Sequence, residues 1–318
     1  MRRNLAWILM LPFVLSLLAG CGAGSKGQPP TEVRVGYQRK TNLLKEQRLL
    51  EKAYEKQGIQ VKWVSFQSGP PMFEALAGGH IDFIYDLSLT PAITAQAAGI
   101  DFKAIGVVTE GATSAILVKR NSPLGSVADL KGKKVAVAKG TSSWAFLLYA
   151  LQKANLTLDD VQVVNLQPAD GRPAFATGAV AAWVVWEPFR SIQEAEVGDA
   201  RALAVPEGFP DYYVTVTSTK FARDHADLVQ TYVNARTEEL AYFNGLSAQE
   251  QVATFARIYA TNPKVAAAWL SHAAPVLKPI TADVVARANG ISDVLKQIAH
   301  LPHITDFAKV VDDRFVKP

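Results

Sequence analysis

The sequence predicts an α/β protein of two units, each built on a doubly wound, mostly parallel sheet. Strand-like runs alternate with helix-like segments from the apolar run Val33–Tyr37 to about residue 108. Alternation at this spacing is typical of parallel βαβ units. The same alternation starts again near Ser114, which predicts a second unit. Beyond Lys220 the apolar spacing is mainly helical.

The predicted elements follow the chain in three groups. The first unit has strands at 33–37, 59–66, 81–85 and 102–108, with helices at 43–57, 72–77 and 91–98. The second has strands at 114–119, 135–138, 161–166, 181–186 and 212–217, with helices at 144–151 and 172–178. The last five helices are predicted at 221–244, 248–259, 263–272, 282–298 and 307–314. The second unit would be inserted into the first, with connections near Gly111–Ser114 and Val214–Ser218.

Residues 1–20 have the pattern of a bacterial lipoprotein signal peptide. Arg2 and Arg3 precede an apolar run from Leu5 to Leu18, which is short for a membrane-spanning helix. Leu18-Ala19-Gly20-Cys21 then resembles a lipobox, whose cysteine is acylated and becomes the mature N-terminus. The alternative is an ordinary secretory signal with a chance cysteine. Because Cys21 is the only cysteine, no internal disulfide is available to it, which favours lipidation. Residues 21–31 form the expected flexible tether.

Composition and motifs argue against nucleic-acid binding and against catalysis. Removal of Arg2 and Arg3 lowers the formal charge from +4 to +2, and no block of lysine or arginine occurs. There is no Gly-x-Ser-x-Gly elbow and no glycine-rich phosphate loop. His300 and His303 have no clustered partners in the sequence, so we expect surface polar residues and no metal or cofactor.

The stretch from Val135 to Trp144 is the strongest candidate for a binding element. An apolar strand leads into the Gly140 turn, and Thr141-Ser142-Ser143 precedes an apolar helix. The first turn of a helix leaves backbone N–H groups unpaired at its electropositive end. Hydroxyl groups at this position either cap the helix or donate to a bound anion. Taken alone, the stretch favours the cap.

A set of ordered motifs along the mature chain resembles a known family. The motifs are Gly36-Tyr37-Gln38, Ser68-Gly69-Pro70-Pro71, the runs 95–99, 121–123 and 127–136, Lys139-Gly140-Thr141-Ser142-Ser143, the run 158–162, Pro168-Ala169-Asp170 with Arg172, and the run 182–188. Together they resemble the extracytoplasmic substrate-binding proteins of ABC importers for aliphatic sulfonates, taurine and nitrate, most closely the sulfonate binders.

The resemblance implies a type II periplasmic-binding-protein fold, with a ligand cleft between two lobes. Lobe I would comprise residues 32–112 and 216–318, and lobe II residues 113–215. The implied partners are a small organic anion, an ABC permease and its ATPase, and we expect a monomer held outside the cytoplasm by its lipid anchor. An enzyme of the same fold in pyrimidine-precursor synthesis, a binder of such precursors, and a ligand sensor or adaptor are the alternatives.

The candidate ligand-binding residues fall into two groups, one for an anionic head and one for the rest of the ligand. The head would meet the two helix starts and neighbouring polar side chains: Gln38, Ser68, Gly69, Pro70, Ser88, Thr141, Ser142, Ser143, Asp170 and Arg172. Trp186 and Tyr213 would flank an apolar tail. Trp183 lies at odd spacing from Trp186 on a predicted strand, so we expect it on the opposite face, in the core. Arg172 is equally consistent with a surface position. Gln38 could be a turn residue, but its position at the end of the first strand favours the site. Glu187 would either hold a cationic group or cap the next helix.

One stretch departs from the family pattern. Sulfonate binders typically carry a Thr-Gly-Asp-Ile-Pro-Pro-like run, where this chain has Asp86-Leu87-Ser88-Leu89-Thr90-Pro91. Ser88 therefore replaces an acid of the cleft wall. The loss of this negative charge predicts that amine-bearing ligands such as taurine are disfavoured, and that plain or aromatic tails are favoured.

Overall fold

The computed structural model describes residues 30–38, 42–109, 114–205, 209, 212–270, 277–299 and 306–316. The predicted signal peptide, Cys21, most of the tether, His300 and His303 lie outside these residues. Within the described ranges, no helix combines the length and the apolar character needed to cross a membrane.

Alternating segments form strands and helices close to the predicted positions. The strands are β1 (Glu32–Gln38), β2 (Gln60–Phe66), β3 (Phe83–Ser88), β4 (Lys103–Thr109), β5 (Ala115–Lys119), β6 (Lys134–Val137), β7 (Gln162–Asn165), β8 (Ala182–Val185), β9 (Ala200–Ala202), β10 (Tyr212–Thr217) and β11 (Leu277–Lys278). The helices of the first 200 residues are α1 (Leu43–Glu46), α2 (Leu49–Glu55), α3 (Gly69–Ala77), α4 (Leu89–Ala97), α5 (Ser142–Lys153), α6 (Pro168–Ala176) and α7 (Phe189–Ser191). A π-helix (Ile192–Val197) continues α7.

The later helices are α8 (Thr219–Asp224), α9 (Ala226–Gly245), α10 (Ala248–Ile258), α11 (Pro263–Leu270) and α12 (Ala282–Ala299). Two helices that we expected to be continuous are each divided in two. Arg48 adopts a left-handed backbone conformation (φ 54°) between α1 and α2. His225 (φ −136°, ψ 48°) separates α8 from α9. Apolar spacing alone does not reveal such breaks, because the same face stays buried on both sides of them.

The first sheet has the strand order β11-β4-β10-β3-β1-β2. β1 pairs in parallel with β2 and β3, and β10 runs antiparallel between β3 and β4. Our assignment of the strand at 212–217 to the second unit, and of the return connection to Val214–Ser218, is therefore wrong. The chain returns earlier, between Ala202 and Tyr212. Alternation identifies a strand, but long-range pairing decides which sheet it joins.

The second sheet has the order β7-β6-β8-β5-β9. β6 is parallel to β7 and β8, whereas β5 runs antiparallel to β8 and β9. We call the elements on the six-stranded sheet the first lobe and those on the five-stranded sheet the second lobe. The predicted class, a two-lobe α/β fold, is confirmed, and both sheets are mixed.

The C-terminal helix α12 joins the two lobes by packing against α4 of the first and α5 of the second. One apolar cluster accordingly holds buried residues of both lobes, among them Ile84 and Leu147, together with Ile291 of α12. Within the second lobe, Trp183 is 1% exposed, as expected for a core residue. Burial on this scale is the main stabilising contribution to such a fold. The ligand cleft is therefore bounded by two cores that meet along one helix.

Candidate ligand site between two helix starts

Two helices begin at the carboxyl ends of parallel strands and face each other across the cleft. α3 follows β2 and begins at Gly69-Pro70, and α5 follows β6 and begins at Ser142. The two starts are in contact range, because a Cβ atom built on Gly140 would lie 3.2 Å from Pro70 Cγ. Gly140 has φ +76°, a conformation that glycine adopts without strain. The start of α5 leaves first-turn backbone N–H groups without helical partners. In the first turn of α3 only Gly69 has a backbone N–H, because Pro70 and Pro71 have none.

A small cavity of about 20 Å³ lies between these starts. It is lined by residues of both lobes: Gln38, Gly69, Ser88, Pro91, Thr141, Ser142, Trp186 and Tyr213. None of the lining residues carries a charge. A space of this volume holds little more than one water, so a ligand enters only when the lobes part. The structure thus brings together seven of the predicted residues around one neutral cavity.

The three hydroxyl residues at the start of α5 have different partners. Thr141 Oγ1 donates to the Ala138 carbonyl (2.6 Å) and accepts from the Trp144 N–H (3.4 Å), so Thr141 is the helix cap. Ser143 is fully buried, and its Oγ lies 3.1 Å from Ser114 Oγ. Ser142 accepts a longer bond of 3.4 Å from Ser114 and lies on the cavity wall. Ser142 is therefore the hydroxyl best placed to meet a ligand.

Ser114 was missed by the sequence reasoning. It lies directly before β5, at the end of a connection between the lobes. Its place in the connection predicted near Gly111–Ser114 was the sole sequence signal for it. Its hydroxyl lies within reach of both Ser142 and Ser143. Ser114 thus ties the connection between the lobes to the start of α5.

The start of α3 is packed closely and leaves one hydroxyl without a partner. A Cβ atom at Gly69 would lie 2.6 Å from Pro91 Cγ, so only glycine allows α3 to approach α4 this closely. Ser68, immediately before Gly69, is fully buried, and its Oγ finds no hydrogen-bond partner among the described residues. Such an unsatisfied buried hydroxyl costs stability unless something else pairs with it. Ser68 is therefore an available donor beside the small cavity.

Ser88 and Tyr213 reach the cavity because their strands are paired. They stand opposite each other in the antiparallel register of β3 and β10. Gln38 ends β1, and its amide lies 3.6 Å from Met72 Sδ of α3. These three residues come from the ends of different strands, which is where ligands of open α/β sheets bind.

Asp170 and Arg172 are exposed on α6 and line neither cavity. The physical reason is that α6 begins at Pro168, earlier than the predicted start at residue 172. Its first turn places Pro168 and Ala169 toward the cleft, and Arg172 lies one turn further along. The surface alternative for Arg172 is therefore the one observed.

Glu187 caps the following helix and does not line the cavities. Its carboxylate accepts bonds from the Ser191 N–H (3.0 Å) and the Ser191 Oγ (2.9 Å), and the residue is 1% exposed. Burial raises the pKa of Glu187, and the bonds from Ser191 oppose this shift. We had left open a cationic partner or a cap, and the cap is observed.

A larger cavity of about 360 Å³ shares Gln38 and Trp186 with the small one. Its lining is mainly aromatic and aliphatic: Gln38, Phe66, Gln67, Pro168, Ala169, Trp186, Pro188, Phe189, Ile192 and Tyr259. Sequence reasoning missed most of these. Phe66 ends β2, so the strand-end argument used for Gln38 would have identified it. Tyr259 gave no signal, because it follows a helix far along the chain.

Trp183 and Trp186 both lie near Phe189, so our expectation that they face opposite sides of a strand was wrong. The physical reason is that β8 ends before Trp186.

A charged cluster formed by Arg236, Asp86, Glu239 and Tyr85 lies in the first lobe. Arg236 is 1% exposed and donates to Asp86 Oδ2 (2.5 Å) and to Glu239. Tyr85 donates to Glu239 (2.9 Å), and Thr215 donates to Asp86 Oδ1 (2.9 Å). Burial raises the pKa of Glu239, and Arg236 opposes the shift. The acid nearest Ser88 in the sequence is therefore already paired. In the described ranges, no group of three His, Cys, Asp or Glu residues suits a metal ion.

Known proteins resemble this chain over most of its length. A protein of Bacillus subtilis (strain 168), provisionally named an aliphatic sulfonates-binding protein, is 37% identical over 98% of this chain and 95% of its own length. A protein of the same provisional name from Escherichia coli (strain K12) is 34% identical over 87% of each chain. These relatives are named as binding proteins and not as enzymes.

Solved structures agree with the sequence relatives. The alkanesulfonate-binding protein SsuA from Xanthomonas axonopodis pv. citri, solved with bound MOPS, is similar at a TM-score of 0.81 and 31% identity, covering 90% of this chain and 100% of that one. The desulfurization enzyme DszB, at 16% identity and a TM-score of 0.65, shows the fold alone. The model of the family described as NMT1/THI5 like matches residues 51–243. The chain therefore belongs to the NMT1/THI5-like family, in agreement with the resemblance carried by its motifs.

Proposed function

We propose that this protein is the substrate-binding lipoprotein of an ABC importer and captures a small organosulfonate, or a similar organic anion, between its lobes. The observation that carries the proposal is the meeting of two helix starts around a cavity without charged lining residues. Helix starts stabilise anions through backbone N–H groups and the macrodipole. The names of the relatives, which include sulfonate binders, point to the same ligand class.

Neutral recognition suits a protein that must release its ligand. A buried lysine or arginine would lose its solvation in the empty closed cleft and would hold the anion by a strong charge pair. Hydroxyl and N–H donors bind an anion through several charge-assisted hydrogen bonds, without a charge buried in the empty site. The Ser142 and Ser68 hydroxyls, the Gly69 N–H and the N–H groups after Thr141 would supply these donors.

Capture would require the lobes to part and close. Residues of both lobes line the small cavity. Two connections, near 109–115 and 202–212, join the sheets. Ligand contacts on both lobes would favour the closed state by their differential free energy. We assign β5–β9 to the moving second lobe, and β1–β4 with β10 and the later elements to the first.

Anchoring and delivery complete the proposal. Acylated Cys21 would hold the protein at the outer face of a bacterial membrane, where a permease and its ATPase would receive the ligand. Metabolic labelling with a palmitate analogue tests the anchor, since a Cys21→Ala variant should lose the label that the unaltered protein carries. Equal labelling of both would contradict the anchor.

A thermal-shift and calorimetric panel tests the ligand class. We would titrate the purified protein with methanesulfonate, 1-propanesulfonate, benzenesulfonate, taurine, nitrate, sulfate and orotate, a pyrimidine precursor. A ligand at about one hundred times its Kd adds about 2.7 kcal/mol to the free energy of unfolding. For a protein of this size we expect a rise in Tm of roughly 5 °C. Stabilisation by a pyrimidine and by no sulfonate would instead favour the pyrimidine-precursor alternative.

A further inference from the structure

We propose that the large cavity is the subsite for an uncharged, ring-bearing tail, so that the preferred ligands are aryl or cycloalkyl sulfonates and not short or amine-bearing ones. This inference rests on the proposed function, because it takes the small cavity as the place of the anionic head. Phe189, Ile192 and Tyr259 would be the residues that determine tail specificity.

The two cavities are neighbours. Gln38 and Trp186 line both, so a ligand admitted when the lobes part can extend from one space into the other. A head held between the helix starts would therefore direct its tail past Trp186. The head meets hydrogen-bond donors and the tail meets hydrocarbon, which is the usual division of labour in a ligand pocket.

The volume of the large cavity exceeds what a short alkyl chain fills. An apolar cavity of about 150 Å³ in another protein accepts benzene. The space of about 360 Å³ found here therefore has room for a ring with substituents. A two-carbon tail would leave most of this space to water or void, and the lining atoms would lose contacts that a ring provides.

The aromatic walls are fixed by their neighbours before any ligand binds. Trp186 and Phe189 pack edge to face, with ring centroids 6.0 Å apart. Tyr259 is held by Phe255 and Trp269, whose ring centroids lie 4.4 Å and 4.3 Å from its own. Preorganised rings lose little conformational freedom on binding. They also offer a ring-shaped tail stacked or edge-to-face contacts that a flexible chain makes less well.

Both lobes contribute to the tail subsite. Ile192 begins the π-helix of the second lobe, and Tyr259 follows α10 of the first. Beside them, Asn262 Nδ2 donates to Glu196 Oε2 across the cleft (3.2 Å). Single π-helical turns occur frequently at functional sites. A tail that touches both walls would therefore add to lobe closure.

The lining offers no counter-charge for a tail ammonium group. All its residues are neutral, and its polar side chains are the amides Gln38 and Gln67 and the phenol Tyr259. The neighbouring acid Glu187 accepts from Ser191, and Asp86 is paired with Arg236. A buried ammonium without a counter-charge loses its hydration, and cation–π attraction to the aromatic rings offsets only part of that cost. Taurine should therefore bind more weakly than 1-propanesulfonate, which has a methyl group where taurine has its ammonium.

Calorimetric titration with four probes tests the proposal: methanesulfonate, 1-propanesulfonate, taurine and benzenesulfonate. We expect benzenesulfonate to bind at least tenfold more tightly than 1-propanesulfonate, and 1-propanesulfonate at least tenfold more tightly than taurine. Equal affinities for the larger probes, or tightest binding of taurine, would overturn the tail subsite and leave the proposed function standing. Absence of binding for all four sulfonates would overturn the proposed function itself.

Two variants test the assigned residues. Phe189→Leu should weaken benzenesulfonate at least fivefold and leave methanesulfonate unchanged, whereas Ile192→Asp should reverse the preference between taurine and 1-propanesulfonate. Tyr242→Ala is the matched control, because Tyr242 is 48% exposed and lines no cavity described above. An unchanged order of affinities in Ile192→Asp, with an unchanged Tm, would contradict the subsite even if Phe189→Leu failed to fold.

Discussion

The small cavity and the charged cluster each include a residue of β3, and these two residues are two positions apart. The lining of the cavity is nevertheless neutral, whereas the cluster is charged. Asp86 belongs to the cluster, where its carboxylate pairs with Arg236 and accepts from Thr215. Ser88 lines the cavity, where no lining residue is charged. The cluster therefore holds charges that pair with one another, and the cavity is lined by neutral residues, which in the proposed function receive an anion.

This difference shows that a buried charge is tolerated here only where its partners are permanent. Burial of an ion in a low-dielectric interior costs roughly several kcal/mol of solvation free energy, and attraction to a partner of opposite charge offsets this cost. Arg236 has two acidic partners within its own lobe, whereas a cationic group in the cleft would have a partner only when ligand is bound. The following predictions test this comparison, from the largest expected effect to the smallest.

Arg236→Met should lower the free energy of unfolding by about 3–5 kcal/mol, because it leaves Asp86 and Glu239 buried without their cation. Urea denaturation measures the change. Arg223→Met is the control, since Arg223 is exposed and its pair with Asp224 is solvated. If Arg236→Met were as stable as the control, the cluster would not be a structural ion pair.

Gly69→Ala should destabilise the protein by about 1–3 kcal/mol, since the added methyl group would meet Pro91 at 2.6 Å. It should also weaken sulfonate binding, because relief of the clash moves the start of α3. Gly290→Ala is the matched control, as its Cβ atom meets open space within α12. The control should bind normally and gain about 0.5–1 kcal/mol. Normal sulfonate affinity in Gly69→Ala would indicate that the start of α3 is not part of the binding site.

Ser142→Ala should weaken sulfonate binding by about 1–2 kcal/mol with little change in Tm, because its hydroxyl lies on the cavity wall. Thr141→Ala should instead lower stability by about 0.5–2 kcal/mol, since Thr141 caps α5. Calorimetry and thermal unfolding of both variants measure the contrast. A loss of stability in Ser142→Ala with unchanged affinity would make Ser142 a second structural hydroxyl.

Glu187→Gln should change the pH dependence of stability slightly. Burial raises the folded-state pKa of Glu187, so its contribution is present below the unfolded pKa and is lost as pH rises through the folded pKa. The variant lacks this loss, and its stability relative to the unaltered protein should therefore increase from pH 4 to pH 7.5. Urea unfolding at several pH values measures the difference. A fall in the variant's stability relative to the unaltered protein as the pH rises would contradict the burial account.

The sequence predicted the fold well where local pattern decides it. The helix starts after Ser68 and Thr141, the strand ends at Gln38, and the core position of Trp183 all followed from periodicity and turn residues. The sheet joined by β10 did not follow, because pairing over about one hundred residues depends on the whole lobe.

The same contrast between local pattern and long-range packing applies to the candidate site residues. Residues at strand ends and helix starts were found, whereas Asp170 and Arg172, candidates from a motif of the family resemblance, are exposed on α6. Phe189 and Tyr259 were missed because the large cavity forms only when a π-helix and the end of α10 meet. Binding residues that lie on a single strand or helix can be recognised in the sequence. A cavity wall formed by residues of two lobes cannot.

The most direct measurement is a crystal structure of the protein with benzenesulfonate, recorded at long wavelength so that anomalous scattering locates the ligand sulfur. We predict one sulfur peak between Gln38, Ser142 and Tyr213, with its oxygens about 2.7–3.2 Å from donors at the starts of α3 and α5. No lysine or arginine side chain should contact the sulfonate. A peak beside Arg172, or at the charged cluster in contact with Arg236, would contradict recognition of the anion by neutral groups.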